Sequence, residues 1–157
     1  MESQIISIIP NMKKSKMLGL SEDTFTLVAT SDITIFAKVT NKLMKKIVQE
    51  SRDQAKAEGK GFFGQWGAQI KGSFNYAERY AGMNPQEILM ESPENFSVPN
   101  GNISSVTLKK KTRRDREEHT SLIFWIVTIT YSSGTMKFTT DADPRDHLQR
   151  IYGTRVK

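Results

Sequence analysis

The chain has 157 residues, with 23 Lys and Arg against 17 Asp and Glu and a net charge of +6. That length fits one domain, and the charge draws nucleic acid, anionic lipid or acidic protein without choosing among them. Cysteine is absent, which excludes a disulfide framework, a thiolate zinc site and a cysteine nucleophile and matches a reducing cytoplasmic compartment.

Ile5, Ile6, Ile8 and Ile9 make the stretch from Met1 to Pro10 a strand; without a preceding basic region or a cleavage site it does not read as a signal peptide. From Thr24 to Thr30, Phe25, Leu27 and Ala29 alternate with Thr24, Thr26, Val28 and Thr30, the pattern of a half-buried strand. Ser31-Asp32 is a turn, and Ile33, Ile35 and Ala37 repeat the alternation, so the two runs pair as a hairpin.

The period then becomes helical. From Asn41 to Glu58, Leu43, Met44, Ile47, Val48, Ser51 and Ala55 fall three and four residues apart, with Thr40 or Asn41 as N-cap and Gly59 as stop. Phe63, Trp66, Ile70, Phe74, Ala77 and Ala81 continue it. Asn84-Pro85-Gln86-Glu87 has the form of a helix start, and that short helix ends before Pro93.

Strand patterns return at Phe96–Pro99, Ile103–Lys110, Ser121–Tyr131 and Thr135–Thr140. The third of these is apolar in both phases and is expected to be covered on both faces. Its longest apolar run, Leu122 to Val127, is far short of the roughly 20 residues of a membrane-spanning helix. Asp143-Pro144-Arg145-Asp146 opens a last helix with Leu148, Ile151 and Tyr152 on one stripe and Gly153 as stop. That helix is expected to lie on the doubly apolar strand.

Seven strands and a closing helix form the element order of a pleckstrin-homology-like (PH-like) barrel. Thr26-Leu27-Val28-Ala29-Thr30-Ser31-Asp32-Ile33-Thr34-Ile35-Phe36 resembles the strand, Thr/Asp turn and Leu-Ile-Phe strand of the prokaryotic members, although Ile33 stands where an Arg often follows the Asp. Phe96-Ser97-Val98-Pro99-Asn100-Gly101-Asn102-Ile103-Ser104-Ser105-Val106 resembles their second signature, an apolar residue and a Pro before a polar turn and an Ile-x-x-Val strand. The resemblance implies a single α+β, mainly β domain over residues 1–157, a seven-stranded antiparallel barrel or sandwich with a C-terminal capping helix; the helical insertion expected at 41–95 between the third and fourth strands departs from it and has no counterpart in the plain domain. It implies a binding or scaffolding module and supplies no catalytic residues.

Two stretches stand out as contact sites. Lys109, Lys110, Lys111, Arg113, Arg114 and Arg116 place six cations in eight residues at a strand end and turn, where a phosphate, an anionic headgroup or an acidic partner meets several donors, or where a hairpin tip is simply solvated. No aromatic interrupts that run, so a base-stacking platform is missing from it. Phe62, Phe63 and Trp66, spaced by glycines, make an apolar segment that grips a partner, enters a membrane interface or anchors the insertion to the barrel.

The G-x-G-x-x-G match at Gly59-Lys60-Gly61-Phe62-Phe63-Gly64 follows a predicted helix and lacks the βαβ context that makes such glycines bind a dinucleotide. Asp141, Asp143 and Asp146 resemble a calcium run, but helix capping accounts for Asp143 and Asp146. His119 and His147 have no neighbours that form a triad. The expectation is therefore a protein without catalytic residues, cofactor or metal, cytoplasmic, that binds a protein partner, with peripheral membrane association as a second mode and self-association left open. Its rivals are polyanion or nucleic-acid binding through 109–116 and an enzyme with a pocket between insertion and barrel.

Overall fold

Alternating apolar residues give the described residues of this chain seven strands, and antiparallel pairing joins them in one sheet in the order β4-β3-β2-β1-β7-β6-β5. The strands are β1 (Ile5–Lys16), β2 (Ser21–Thr30), β3 (Ile33–Lys38), β4 (Phe96–Pro99), β5 (Ile103–Asp115), β6 (Thr120–Tyr131) and β7 (Gly134–Thr140). The computed structural model describes residues 4–16, 21–46, 49, 79–115, 117 and 119–157. Among them are two further helices, α1 (Pro85–Met90) and α2 (Arg145–Tyr152), and a helical stretch at residues 41–46.

The sheet consists of two meanders. β1 to β4 form one and β5 to β7 the other, and they meet where β1 pairs with β7 at Lys13 and Thr139. β1 continues past Pro10, where the sequence pattern fades, because the ladder tolerates a break there: its register on β2 shifts between Ile9 and Met12, and Asn11 takes a left-handed φ of 59°. A proline without an N–H is accommodated in an inner strand at such a bulge.

The expected closed barrel is not completed by hydrogen bonds. β4 and β5 are the two edges, and a 3-10 turn at Asn100–Asn102 carries the chain between them. The apolar faces nevertheless converge on one core, to which every strand and α2 contribute: Met12, Leu27, Phe36, Val98, Val106, Val127, Phe138, Leu148 and Tyr152 are all buried in it. Phe25, Phe36, Phe96 and Phe138 form a chain of ring contacts across the two meanders, with Phe36 stacked on both Phe96 and Phe138. The strands before Thr40 and after Asn95 thus share a single sheet and a single core.

β2 is buried on both faces from Phe25 to Thr30, where alternation alone suggested one. The reason lies in the β3–β4 connection. Val28, Ile35 and Ala37 face away from the main core and pack with Tyr80 and Ile88, flanked by Met44, Met83 and Leu89. The described residues of the connection are therefore a cover for the outer face of β2 and β3. Its helix starts follow the predicted capping chemistry: Thr40 Oγ1 accepts from Leu43 N at 3.0 Å, and Asn84 Oδ1 accepts from Gln86 N at 2.9 Å ahead of Pro85. At its far end, Asn95 Oδ1 accepts from Lys38 N at 2.8 Å while its Nδ2 donates to Ile88 O at 2.7 Å. The carboxylates of Glu94, at 2.6 Å, and Asp23, at 3.4 Å, hold the Lys38 ammonium above its usual pKa, the Glu94 hydrogen bond being the larger cause.

α2 lies chiefly against β1 and β5, not along β6, and its Leu148 and Tyr152 reach Val127 and Ile129 through the common core. A bridging helix covers the open side of a folded sheet better than one laid on a single strand, because its apolar stripe then buries against both meanders. Ser7 Oγ lies 2.6 Å from His147 Nδ1, which ties β1 to the same helix.

The two stretches that carry the family resemblance meet in space. Thr30 Oγ1 accepts from the backbone N–H groups of Asp32 and Ile33 at 3.1 and 3.0 Å, which forms the turn. Asn100 N donates to Asp32 O, and Asn100 Nδ2 donates to Thr30 O, both at 2.8 Å. The Thr34 hydroxyl donates to Asn100 Oδ1 at 2.7 Å. With that proton committed, Tyr152 OH is the donor to Thr34 Oγ1 at 2.8 Å. Arg155 donates to the carbonyls of Asn100 and Ile103. Burial, which outweighs the opposing influences of Thr34 and Arg155, pushes the Tyr152 phenol up to about 12.

Candidate functional site

β5 and β6 pair without interruption from Ser105 and Thr130 to Asp115 and Thr120. β7 stops at Thr140, opposite Trp125. Beyond Trp125, β6 therefore has β5 alone as a neighbour among the described residues, and a two-stranded ribbon extends past the body of the sheet.

This ribbon contains the predicted basic cluster, in a different arrangement from the expected hairpin tip. Lys109 through Arg114 lie within the strand, and strand alternation divides them. Lys109, Lys111 and Arg113 share the outer face, opposite Ile126, Phe124 and Leu122. Lys110 and Arg114 share the inner face, opposite Trp125 and Ser121, with Thr112 opposite Ile123 between them. Arg116 lies outside the described residues, as do Phe62, Phe63, Trp66 and the glycines around them. Cations two residues apart on a strand stand about 7 Å apart, a separation at which their repulsion in water is only about 0.6 kcal/mol. Contact with water is what makes the stripe tolerable; all five described cations are exposed.

The apolar stripe beside it overturns the expected two-sided coverage of β6. Leu122 is 59% exposed and Ile123 45%, and they lie on opposite faces of the ribbon. Phe124, Trp125 and Ile126 are half-buried. Cross-strand pairing also supplies what the linear run lacks, since Phe124 stands opposite Lys111 and Trp125 opposite Lys110. Cation and apolar surface are thus interleaved across strands, a signal available to sequence reading only through the register of the hairpin.

The free edge of β5 is half used. Leu108 N donates to Lys157 O at 3.1 Å and Lys157 N donates to Val106 O at 2.8 Å, around a parallel bridge between Val106 and Val156. Past Leu108, no described residue pairs with that edge.

The remaining candidates lie away from the ribbon's cations and apolar stripe. Asp143 Oδ1 accepts from Arg145 N at 3.0 Å, one position from the predicted N-cap geometry, and no group of three His, Asp or Glu among the described residues is placed to hold a metal ion. His119 occupies the β5–β6 turn with a left-handed φ of 54°. The described junction between the β3–β4 connection and the sheet is filled by apolar side chains, while an open groove within the connection itself, lined by Lys46, Arg79, Met83, Glu87, Met90 and Glu91, holds the Arg79–Glu91 ion pair at 2.8 Å. Among the described residues no helix is long and apolar enough to cross a membrane. Fold and site define a mainly β protein with one open seven-stranded sheet, a C-terminal helix and a projecting basic, apolar ribbon. No family model, curated protein or solved structure matches the chain.

Proposed function

We propose that this chain is a non-enzymatic binding module of PH-like fold, with the β3–β4 connection as its helical insertion, that works by protein–protein interaction through the β5–β6 ribbon. The fold reading rests on the sheet order, the C-terminal helix and the mutual hydrogen bonding of the two signature stretches. The observation that carries the function is the ribbon's outer face, where Lys109, Lys111 and Arg113 run beside Leu122, Phe124 and Ile126. Such a face suits a partner that offers carboxylates next to apolar side chains, the charges guiding encounter and the apolar stripe adding burial. Affinity capture with the parent chain and with Lys109, Lys111 and Arg113 all changed to Glu tests the proposal. Partners held by the parent and released by the variant support it; identical partner sets remove the ribbon from the account.

Peripheral membrane association is the second reading, because Leu122 and Ile123 are exposed on opposite faces of the same tip. An interface of headgroups surrounds a tip on both sides, as a flat protein surface does not. Co-sedimentation with phosphatidylserine vesicles that is lost in Leu122→Ser with Ile123→Ser, while protein capture is retained, selects this reading. Nucleic-acid binding through the same cations is marked by a steep loss of affinity with salt.

A further inference from the structure

We infer that the outer edge of β5 from Lys109 to Asp115 accepts an extended acidic peptide segment as an additional strand; this rests on the binding-module reading and adds a mode of recognition to it. The argument begins with the direction of the backbone groups. Leu108 donates its N–H to Lys157, and Val106 accepts from Lys157, so both residues turn their backbone groups toward the edge. The β5–β6 register is unbroken from Ser105 to Asp115, and in an antiparallel pair these groups alternate between the partner strand and the free side. Lys110, Thr112 and Arg114 therefore direct N–H and C=O outward, along the line that Val106 and Leu108 have begun, while Lys109, Lys111 and Arg113 bond to β6.

Charge then selects the occupant. A strand added here has Lys109, Lys111 and Arg113 beside it on one face and Lys110 and Arg114 on the other. Either face of the incoming segment meets cations, so carboxylates on both faces are matched. A second copy of β5 is rejected by the same rule, because its own Lys and Arg residues would lie against these. The cations thus do two things: they block edge-to-edge association, the usual hazard of a free strand, and they admit an oppositely charged segment.

The test uses a short capped peptide of glutamate and valine, and the same peptide N-methylated at two alternate positions. The parent peptide is expected to bind the full chain, to slow hydrogen exchange at the amides of Lys110, Thr112 and Arg114, and to leave the already bonded amides of Lys109, Lys111 and Arg113 unchanged. Removing two donors by N-methylation is expected to weaken binding about thirtyfold. Thr112→Pro, which removes an outward N–H and keeps every cation, is expected to weaken it as well; proline is tolerated at that side of an edge strand. Equal affinity for the two peptides, or protection without alternation, overturns the inference and leaves a charged docking face, as does tight binding of phosphatidylserine vesicles or an oligonucleotide with no affinity for the peptide. If neither peptide binds, strand addition is overturned, whereas the binding-module reading stands or falls by capture with the charge-reversed outer face.

Discussion

Replacing Tyr152 by Phe should make the protein less stable at neutral pH and more stable at high pH. The phenol is 4% exposed and donates to Thr34 Oγ1, whose own proton is held by Asn100. Deleting the hydroxyl removes one buried hydrogen bond, a loss of about 1 kcal/mol at pH 7. The phenol's pKa is raised from 10 to about 12 in the folded chain. An acid whose folded pKa lies above its unfolded value keeps its proton in the fold where the unfolded chain has lost it. Its contribution is therefore intact below about pH 10 and falls as pH rises toward about 12, by about 1.4 kcal/mol per pH unit. The Tyr152→Phe variant lacks this term, so the two stability curves are expected to cross near pH 11. Lys38 and the other bases titrate in both proteins and cancel in the difference. Urea denaturation followed by tryptophan fluorescence at intervals between pH 7 and 11.5 reads the effect. A constant gap between the two proteins over that range would refute the reasoning, since it would mean that the phenol titrates as freely in the fold as in the unfolded chain.

Asn100→Ala should cost about 2–4 kcal/mol in urea denaturation, because it leaves the Thr30 carbonyl and the Thr34 hydroxyl without their side-chain partner at a buried corner; a cost under 1 kcal/mol would show that the corner is held by packing alone. Leu148→Ala, at a fully buried position of α2, should cost about 2–5 kcal/mol and unfold in a single transition with the sheet. A separate early transition would detach α2 from the common core. Ser7→Ala should lose about 1 kcal/mol through its bond to His147, and the His147 ring resonances in an NMR spectrum should shift with it.

All seven strands and both flanking helices were legible in the sequence because each rests on local information. Period-two alternation marks the strands, and Asn84-Pro85 and Asp143-Pro144 mark helix starts through chemistry that acts within a few residues. What escaped depends on pairs distant in the chain. Val28 reads as part of the polar side of a half-buried hairpin and Ile35 and Ala37 as its apolar side, whereas the pairing sets Ile35 opposite Val28 and Ala37 opposite Thr26, and Tyr80 and Ile88 are brought over that face. The division of Lys109 through Arg114 between two faces follows from β5 extending to Asp115, and that extension from its pairing with a β6 that starts at Thr120. Charged residues have weak strand propensity of their own, so the run looked like a turn. Thr34, Asn100 and Tyr152 carry no motif of a polar network; their hydroxyls and amide acquire one only when residues 66 and 118 positions from Thr34 come together.

The β3–β4 connection leaves and rejoins the sheet between strands that are themselves hydrogen-bonded neighbours, Phe36 opposite Phe96. In ladder topology it is a long replacement for a tight hairpin turn, so chain length between Val39 and Asn95 is free to vary without disturbing strand order. In side-chain terms it is not wholly free, for a version that loses Tyr80 and Ile88 uncovers Val28, Ile35 and Ala37. A miniaturised derivative without Tyr80 and Ile88 therefore needs polar residues at those positions, and a reporter or affinity module grafted into the connection has to keep the two side chains in place to remain monodisperse.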